Sequence, residues 1–323
     1  LTLKQAETPA QLSMAGPLAH INYFIMRIIF TLFLLFPVYL FSQTSGLIID
    51  KSTGKGVPYV NIWVEDENIG TTSDFYGKFK IKGELLGKRL IFSAVGYERH
   101  KIEIKSNNLT IELTQKTYEI GEAVVKKADN SSKIICGEFD KSKINHFYDC
   151  GEKPWIVAKL VKYENRFEAT PFINNLTLLA LNEIKSSTFG LRFLSVDSSG
   201  APGEEIVNEL ILVKAKKGKN TITVDLSKYY IEIPKNGLFI AVEWLIIEEN
   251  KYEFEIPIPN SNEKEKVLTY GPSIGNVPAE TDEYSWIYKS GKWQKDNKIQ
   301  ENLPIEEYIG KYPQLAFKLV LTN

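Results

Sequence analysis

Apolar and polar residues alternate in short runs through residues 44–115. A period of two is typical of strands that bury one face. Turn-forming residues separate the runs roughly every 8 to 12 residues, as in DKSTG at 50–54 and DFYG at 74–77. The alternating apolar positions include Val60, Ile62, Val64, Phe79, Ile81, Leu90, Phe92, Ile102, Ile104, Leu109, Ile111 and Leu113. This spacing predicts an antiparallel β-sandwich of short strands.

Residues 154–323 show the same period of two, and no long apolar pattern repeats every 3.6 residues. Leu176, Leu178 and Ala180 occupy alternate positions, and so do Phe189, Leu191 and Phe193. Residues 238–247 are apolar on both faces, as expected for a central strand. We expect a second, jelly-roll-like antiparallel sandwich here and an all-β fold for the protein. Residues 116–153, polar at 126–133, are interpreted as a connector between the two sandwiches.

An apolar segment follows Met26 and Arg27 and extends to Phe41. It is shorter than the roughly 20 residues that a membrane span needs. A basic start, an apolar centre and the small residue Ser42 predict a secretory signal peptide at 26–42. The alternative is an uncleaved segment, which would be the sole contact with the membrane. Residues 1–25, which include His20, are interpreted as a non-native upstream extension.

The net charge of the protein argues against one class of partner, nucleic acid. The 323 residues contain 39 Lys and Arg against 40 Asp and Glu, for a net charge of −1. Such a balance gives no long-range field that would attract nucleic acid, so we expect no nucleic-acid partner. The 43% hydrophobic and 24% charged content is that of a folded globular protein.

Four segments of the first predicted sandwich stand out in chain order: GLIID at 46–50, GVPYVNIWV at 56–64, TSDFYGKF at 72–79 and FSAVGY at 92–97. Together they resemble the carboxypeptidase-D regulatory-like domain of Bacteroidetes-type proteins. The resemblance implies a seven-stranded, transthyretin-like sandwich and an exported protein of the periplasm or cell envelope, outer-membrane associated or secreted. Residues 154–323 resemble the C-terminal half of uncharacterised Bacteroidetes proteins, which implies no activity.

Histidine and cysteine are scarce, with three and two residues respectively. Zinc sites and common catalytic triads use these residue types, so we predict no metal site, no cofactor and no catalytic residue. The regulatory-like module is itself distinct from the metallopeptidase domain that gives the family its name. Asp74 and Gly77 are interpreted as a turn rather than a calcium site, because calcium takes six to eight oxygen ligands.

The two cysteines, Cys136 and Cys150, lie in the predicted connector beside His146. Export would place them in an oxidising compartment, so we expect a disulfide between them. Two unpaired thiols are the alternative. A Cys–His nucleophile pair is a further alternative, but no recognisable motif around either cysteine favours it.

Two residue types invite a prediction about packing. Glu243 lies inside the apolar segment 238–247, and we expect it to pair with a Lys or Arg across the sheet. Acid catalysis is the alternative, although no second acid is identifiable as its partner. Tyr59 and Trp63 lie on the opposite face of their strand from Val60 and Ile62. We expect both to pack under a neighbouring element, and half-exposure is the alternative.

Aromatic residues are concentrated near the C-terminus, at Tyr284, Trp286, Tyr288 and Trp293. We call these four residues the aromatic stripe, since the first three occupy one face of a predicted strand. The stripe is interpreted as facing the core. Its alternative role is a ligand site, because sugars stack on flat aromatic faces.

These observations predict a non-enzymatic, exported cell-envelope protein that acts as a structural or binding accessory. Its partner would be another envelope protein or a glycan. One alternative is a carbohydrate-binding protein that uses the aromatic stripe. The other is a hydrolase with an unrecognised site.

Overall fold

The computed structural model describes residues 43–117, 132–258, 261, 263–300 and 306–323. The predicted extension at 1–25 and signal peptide at 26–42 lie outside the described residues, as does the connector between residues 118 and 131. The described parts of the chain form strands, short 3₁₀ turns and loops, which confirms the all-β fold class. None of the helical turns described has the length and apolar character that crossing a bilayer requires.

Seven strands form the part of the chain that we call the first sandwich. They are β1 (Gln43–Asp50), β2 (Asn61–Val64), β3 (Gly70–Thr72), β4 (Lys78–Lys82), β5 (Arg89–Ser93), β6 (His100–Glu103) and β7 (Asn108–Leu113). One sheet has the order β4-β1-β7 and the other the order β3-β2-β5-β6. All neighbours are antiparallel except β1 and β7, which run parallel. The two sheets confirm the seven-stranded sandwich.

The core of the first sandwich is built from the alternating apolar residues that define its strands. Ile48, Ile62, Leu90 and Phe92 are fully buried between the two sheets. The rings of Phe79 and Phe92 meet edge to face, with centroids 6.0 Å apart. Burial of one face per strand is the physical reason for the period of two in the sequence.

The side chain of Asp50 holds together three parts of the first sandwich: the turn that follows β1, Tyr97 and Gln115. Its carboxylate accepts hydrogen bonds from Ser52 N at 2.9 Å, Thr53 N at 2.8 Å, the Tyr97 hydroxyl at 3.0 Å and Gln115 Nε2 at 2.6 Å. The Ser52 hydroxyl donates as well, at 2.6 Å. These donors favour the ionised form and hold the pKa of Asp50 well below its usual range.

The turn at residues 74–77 is structural, as the sequence predicts. Asp74 Oδ1 accepts from the backbone N–H groups of Tyr76 and Lys78, each at 2.8 Å. Gly77 has φ +80°, and a Cβ there would approach Ile48 O to 2.3 Å. A side chain is therefore excluded by both the backbone conformation and the space.

The remaining strands form a 13-stranded sheet, which we call the large sheet. They are β8 (Lys133–Cys136), β9 (Phe147–Cys150), β10 (Ile156–Val161), β11 (Phe172–Val196), β12 (Pro202–Glu205), β13 (Ile211–Asp225), β14 (Leu238–Trp244), β15 (Lys251–Pro257), β16 (Lys264–Ala279), β17 (Ser285–Lys289), β18 (Lys292–Lys295), β19 (Tyr312–Leu315) and β20 (Phe317–Thr322). Its pairings are antiparallel. The 3₁₀ turns are Asn165–Phe167, Ser227–Tyr229, Glu248–Asn250 and Glu306–Tyr308.

The long strand β11 organises the large sheet. Its 25 residues pair with β12, β13, β14, β16 and β20 along different parts of its length. The main core lies against it and includes Trp244, which is fully buried and stacks on Trp155 with ring centroids 5.2 Å apart. The Trp244 indole N–H donates to Pro272 O at 2.6 Å.

The connector predicted at 116–153 requires a correction, since its second half belongs to the large sheet. β8 pairs with β20, and β9 pairs with β16. Short alternations such as KIIC and FYDC supply only two inward-facing residues per strand, too few to stand out in the sequence. The described residues from 43 onward belong to one compact unit. The boundaries of the domains 44–115 and 154–323 stay predictions.

Candidate functional site

The first sandwich meets the large sheet through Trp63. This side chain is 1% exposed and packs in a cluster with Ile156, Ala158, Leu194, Phe239, Ala241 and Tyr288, which we call the junction. Trp63 points away from the core of its own sandwich because Ile62 and Val64 occupy that face of β2. The expectation of packing under a neighbouring element is confirmed for Trp63, whereas Tyr59 is half-buried.

A line of buried polar groups crosses the junction. Asn61 Nδ2, on β2, donates to Glu243 Oε1 at 3.1 Å. Glu243 Oε2 lies 3.5 Å from Arg192 Nε, and Arg192 Nη2 lies 3.1 Å from Glu205 Oε1. We call these four residues the Arg192 network. The predicted pairing of Glu243 with a basic residue across the sheet is confirmed, since β11 and β14 are neighbours.

Burial decides the electrostatics of the network. The Arg192 side chain is 5% exposed, Glu243 is 2% exposed and Glu205 is 14% exposed. Burial raises the pKa of Glu243, while the Arg192 charge and the Asn61 hydrogen bond act in the opposite direction. Arg192 therefore opposes the effect of burial on Glu243, in a region where water is largely excluded.

A cleft opens beside this network, between the first sandwich and the large sheet. It has a volume of about 650 Å³. The first sandwich contributes Ser93, Ala94, Tyr97, Glu98, Arg99 and Lys116. The large sheet contributes Arg192, Leu194, Ser195, Asp197, Pro202, Gly203, Glu204, Glu205, Tyr288 and Trp293. Sites that bind small molecules have volumes in this range and often lie between domains.

Tyr288 is a buried residue that lines the cleft. It is 3% exposed, and its hydroxyl has no hydrogen-bond partner among the described residues. The Trp293 ring meets it edge to face at 5.2 Å, and the Arg99 guanidinium lies 5.7 Å from its ring centroid. Burial raises the pKa of Tyr288, opposed by the charges of Arg99 and Arg192. The hydroxyl is therefore a neutral donor at ordinary pH.

The structure divides the aromatic stripe. Tyr288 and Trp293 line the cleft, while Tyr284 and Trp286 do not. Lys162 Nζ lies 4.9 Å from the Tyr284 ring centroid, and Lys295 Nζ lies 4.6 Å from that of Trp286. The Tyr288 and Trp293 planes are inclined by 66°, so those two rings do not form a flat platform. Ligand binding by the stripe stays a prediction.

The predicted disulfide is not formed, and Cys136 and Cys150 are free thiols. The reason is their strands, because β8 and β9 pair with different partners. The Cys150 thiol donates to Lys153 O at 3.3 Å, and burial raises its pKa well above the usual value. His146 instead contacts the side-chain amide of Asn276, with Nδ1 3.0 Å from Oδ1. No Cys–His nucleophile pair forms among the described residues.

Sequence reasoning missed Arg192, Glu205 and Arg99. Arg192 did carry a signal, since it interrupts the apolar run GLRFL at 190–194 much as Glu243 interrupts its own strand. Glu205 and Arg99 lie in polar segments where a charged residue is unremarkable. Among the described residues, no three His, Cys, Asp or Glu side chains are grouped so that they could hold a metal ion.

Comparison with known proteins bears on the first sandwich. Residues 44–125 match the family model of the CarboxypepD_reg-like domain, which confirms the resemblance for that part of the chain. No curated protein matches the chain. The family model does not extend to the strands of the large sheet, which begin at Lys133.

Solved structures align only at low similarity. The cysteine protease and lectin-like domains of Cwp84, a surface layer associated protein of Clostridium difficile, align at 12% identity with a TM-score of 0.33, covering 53% of this chain and 32% of that one. A putative membrane-associated protein of unknown function from Bacteroides fragilis NCTC 9343 aligns at 13% identity with a TM-score of 0.19, covering 78% of this chain and 97% of that one. This chain thus matches about a third of the length of the first structure.

Proposed function

We propose that this protein is a non-enzymatic, exported component of the cell envelope that acts as a structural or binding accessory. The match of residues 44–125 to a regulatory-like, non-catalytic module supports this proposal. The observation that carries it is the Arg192 network, which uses charged side chains to join that module to the large sheet. Export rests on the apolar segment at 26–42 of the sequence.

The same network argues against the hydrolase alternative. Glu205 and Glu243 do converge, which is the arrangement that paired carboxylate catalysis needs. However, Glu243 is 2% exposed, and its two oxygens are engaged by Asn61 and Arg192. A general acid or base must reach the substrate directly or through one water. We therefore assign Glu243 a structural role at the junction.

Export can be tested with the full chain. We would express it in a bacterium that has an outer membrane, fractionate the cells and measure the mass of the product. The expected product is found in the envelope or periplasm and lacks residues up to 42. A Leu34→Arg variant, which places a charge in the apolar segment, should stay in the cytoplasm, whereas Leu34→Ile should be exported. Cytoplasmic retention of the unaltered chain would contradict the proposal.

Catalysis can be tested separately. The purified chain is incubated with a panel of polysaccharides and peptides, and released products are measured. We expect no turnover. Turnover that is abolished by Glu205→Gln would instead establish the hydrolase alternative, because Glu205 lines the cleft and Glu243 does not.

A further inference from the structure

The cleft contains a polar group that the fold itself does not use. Buried hydroxyls in native proteins nearly always have a hydrogen-bond partner, and an unpartnered one requires an explanation. The Tyr288 hydroxyl is buried and has no partner among the described residues, although Ser93, Arg99 and Glu205 line the same cleft. A ligand that reaches this hydroxyl from the cleft would supply the missing partner.

We infer that this cleft binds a neutral saccharide, with Trp293 as the stacking surface, Tyr288 as a hydrogen-bond donor and Arg99 at the rim. The inference rests on the proposed binding role and names the chemical class of the partner. Tyr288 and Trp293 come from the aromatic stripe, whereas Arg99 comes from the first sandwich. The site therefore exists only where the two parts of the protein meet.

The charge of the cleft favours a neutral ligand over an anionic one. Its basic residues Arg99, Lys116 and Arg192 face a comparable set of acids, namely Glu98, Asp197, Glu204 and Glu205. Lys116 is paired with Glu204, and Arg192 is paired with Glu205 and Glu243. The cleft thus presents mixed donors and acceptors without an excess of positive charge. Sugar hydroxyls both donate and accept, so they suit such a surface.

The aromatic geometry favours a ring that presents C–H groups. Trp293 is partly buried and lines the cleft, and its plane is inclined by 66° to that of Tyr288, so the two rings are not stacked face on face. Trp286 has a lysine ammonium over its ring and does not line the cleft. The inference therefore places the ligand on Trp293 rather than along the whole aromatic stripe.

Binding can be measured on the full chain by isothermal titration calorimetry and tryptophan fluorescence. The probes are cellobiose, maltose, lactose and N,N′-diacetylchitobiose, with glucuronic acid as the anionic counterpart. We expect at least one neutral disaccharide to bind with a Kd of about 1 mM or tighter. Absence of binding by all four, or binding of glucuronic acid alone, would overturn the inference.

Variants locate the site. Trp293→Ala and Arg99→Gln should each weaken binding about tenfold, the loss expected for one good contact. Tyr288→Phe should weaken binding by a similar factor without lowering the melting temperature, because its hydroxyl has no partner in the unliganded fold. The matched control is Tyr284→Ala, a stripe residue outside the cleft, which should bind as well as the unaltered chain. Loss of binding in Tyr284→Ala alone would place the ligand elsewhere and refute the inference.

These results separate the inference from the proposed function. Failure of all neutral probes would remove the saccharide site while leaving export and the accessory role as they stand. Cleavage of a bound probe would contradict the non-enzymatic function but would support the cleft as the binding site.

Discussion

Removing the cation of the Arg192 network should be among the most damaging single changes in the protein. Arg192→Met leaves Glu205 and Glu243 without their counter-ion at positions that are 14% and 2% exposed. Breaking a buried ion pair from one side typically costs about 3–5 kcal/mol, because a charge is left buried and unpaired. Against a typical stability of roughly 5–15 kcal/mol, we expect a clear loss in the free energy of unfolding.

The loss should depend on pH in a stated direction. Burial already raises the pKa of Glu243, and removing Arg192 takes away the main influence that lowers it. In the variant the folded-state pKa therefore lies further above the unfolded value. Stability of the variant is then retained at low pH and lost as pH rises through the folded-state pKa. The difference between variant and unaltered protein should be larger at pH 8 than at pH 5.

Urea denaturation followed by circular dichroism at both pH values measures this difference. The control is Lys82→Met, which breaks the surface pair with Glu152, whose side chains are 79% and 49% exposed. Such exposed pairs contribute about 0–1 kcal/mol. The triple variant Arg192→Met/Glu205→Met/Glu243→Met should recover most of the loss, since no buried charge remains. A loss below about 1 kcal/mol in Arg192→Met, or a loss independent of pH, would refute this account of the network.

Four further outcomes follow from single groups. Trp63→Ala should lower the free energy of unfolding by about 3–5 kcal/mol in urea denaturation, since it empties the centre of the junction. Asp50→Asn should reduce the melting temperature at pH 7, and the difference should shrink below about pH 4, where the unaltered carboxylate also begins to lose its advantage. Lys159 should titrate at a pKa of about 8 in NMR of ¹³C-methylated protein, because burial disfavours its charge. The free energy of unfolding should therefore rise as the pH rises from about 8 toward the ordinary lysine pKa of 10.5. Protein unfolded without reductant should show two reactive thiols, Cys136 and Cys150; fewer would restore the disulfide.

The first sandwich was predictable because each of its strands buries one face. Alternation at Ile62 and Val64, or at Phe79 and Ile81, directly records which side faces the core. The turn at Asp74 and Gly77 was predictable for a local reason too, since its hydrogen bonds join residues at most four apart. Structural features that depend only on residues close together in the chain can therefore be inferred from the sequence.

Contacts between distant residues were predictable in kind but not in detail. Glu243 was expected to have a basic partner, yet the choice of Arg192 depends on the register of β11 against β14. That register is set by the whole sheet and is not visible in either strand alone. The disulfide failed for the same reason, because the positions of Cys136 and Cys150 are fixed by β20 and β16, strands distant in sequence.

The aromatic stripe shows where such uncertainty matters for function. A period of two placed Trp286 and Tyr288 on one strand face, but it could not state what covers that face. The answer is the first sandwich, whose Trp63 packs against Tyr288. A stripe that would form an open platform in an isolated sheet is therefore partly enclosed.

The unpartnered polar atoms argue that the junction is more than a packing contact. Asn61 Oδ1, Trp63 Nε1, Trp286 Nε1 and the Tyr288 hydroxyl are all buried without a hydrogen-bond partner among the described residues. Each such atom costs about 1–3 kcal/mol relative to a satisfied one. Residues that served only to hold the two parts together could be replaced by apolar ones at lower cost. Of these four residues Tyr288 lines the cleft, so its hydroxyl is the one to which a ligand bound there is relevant.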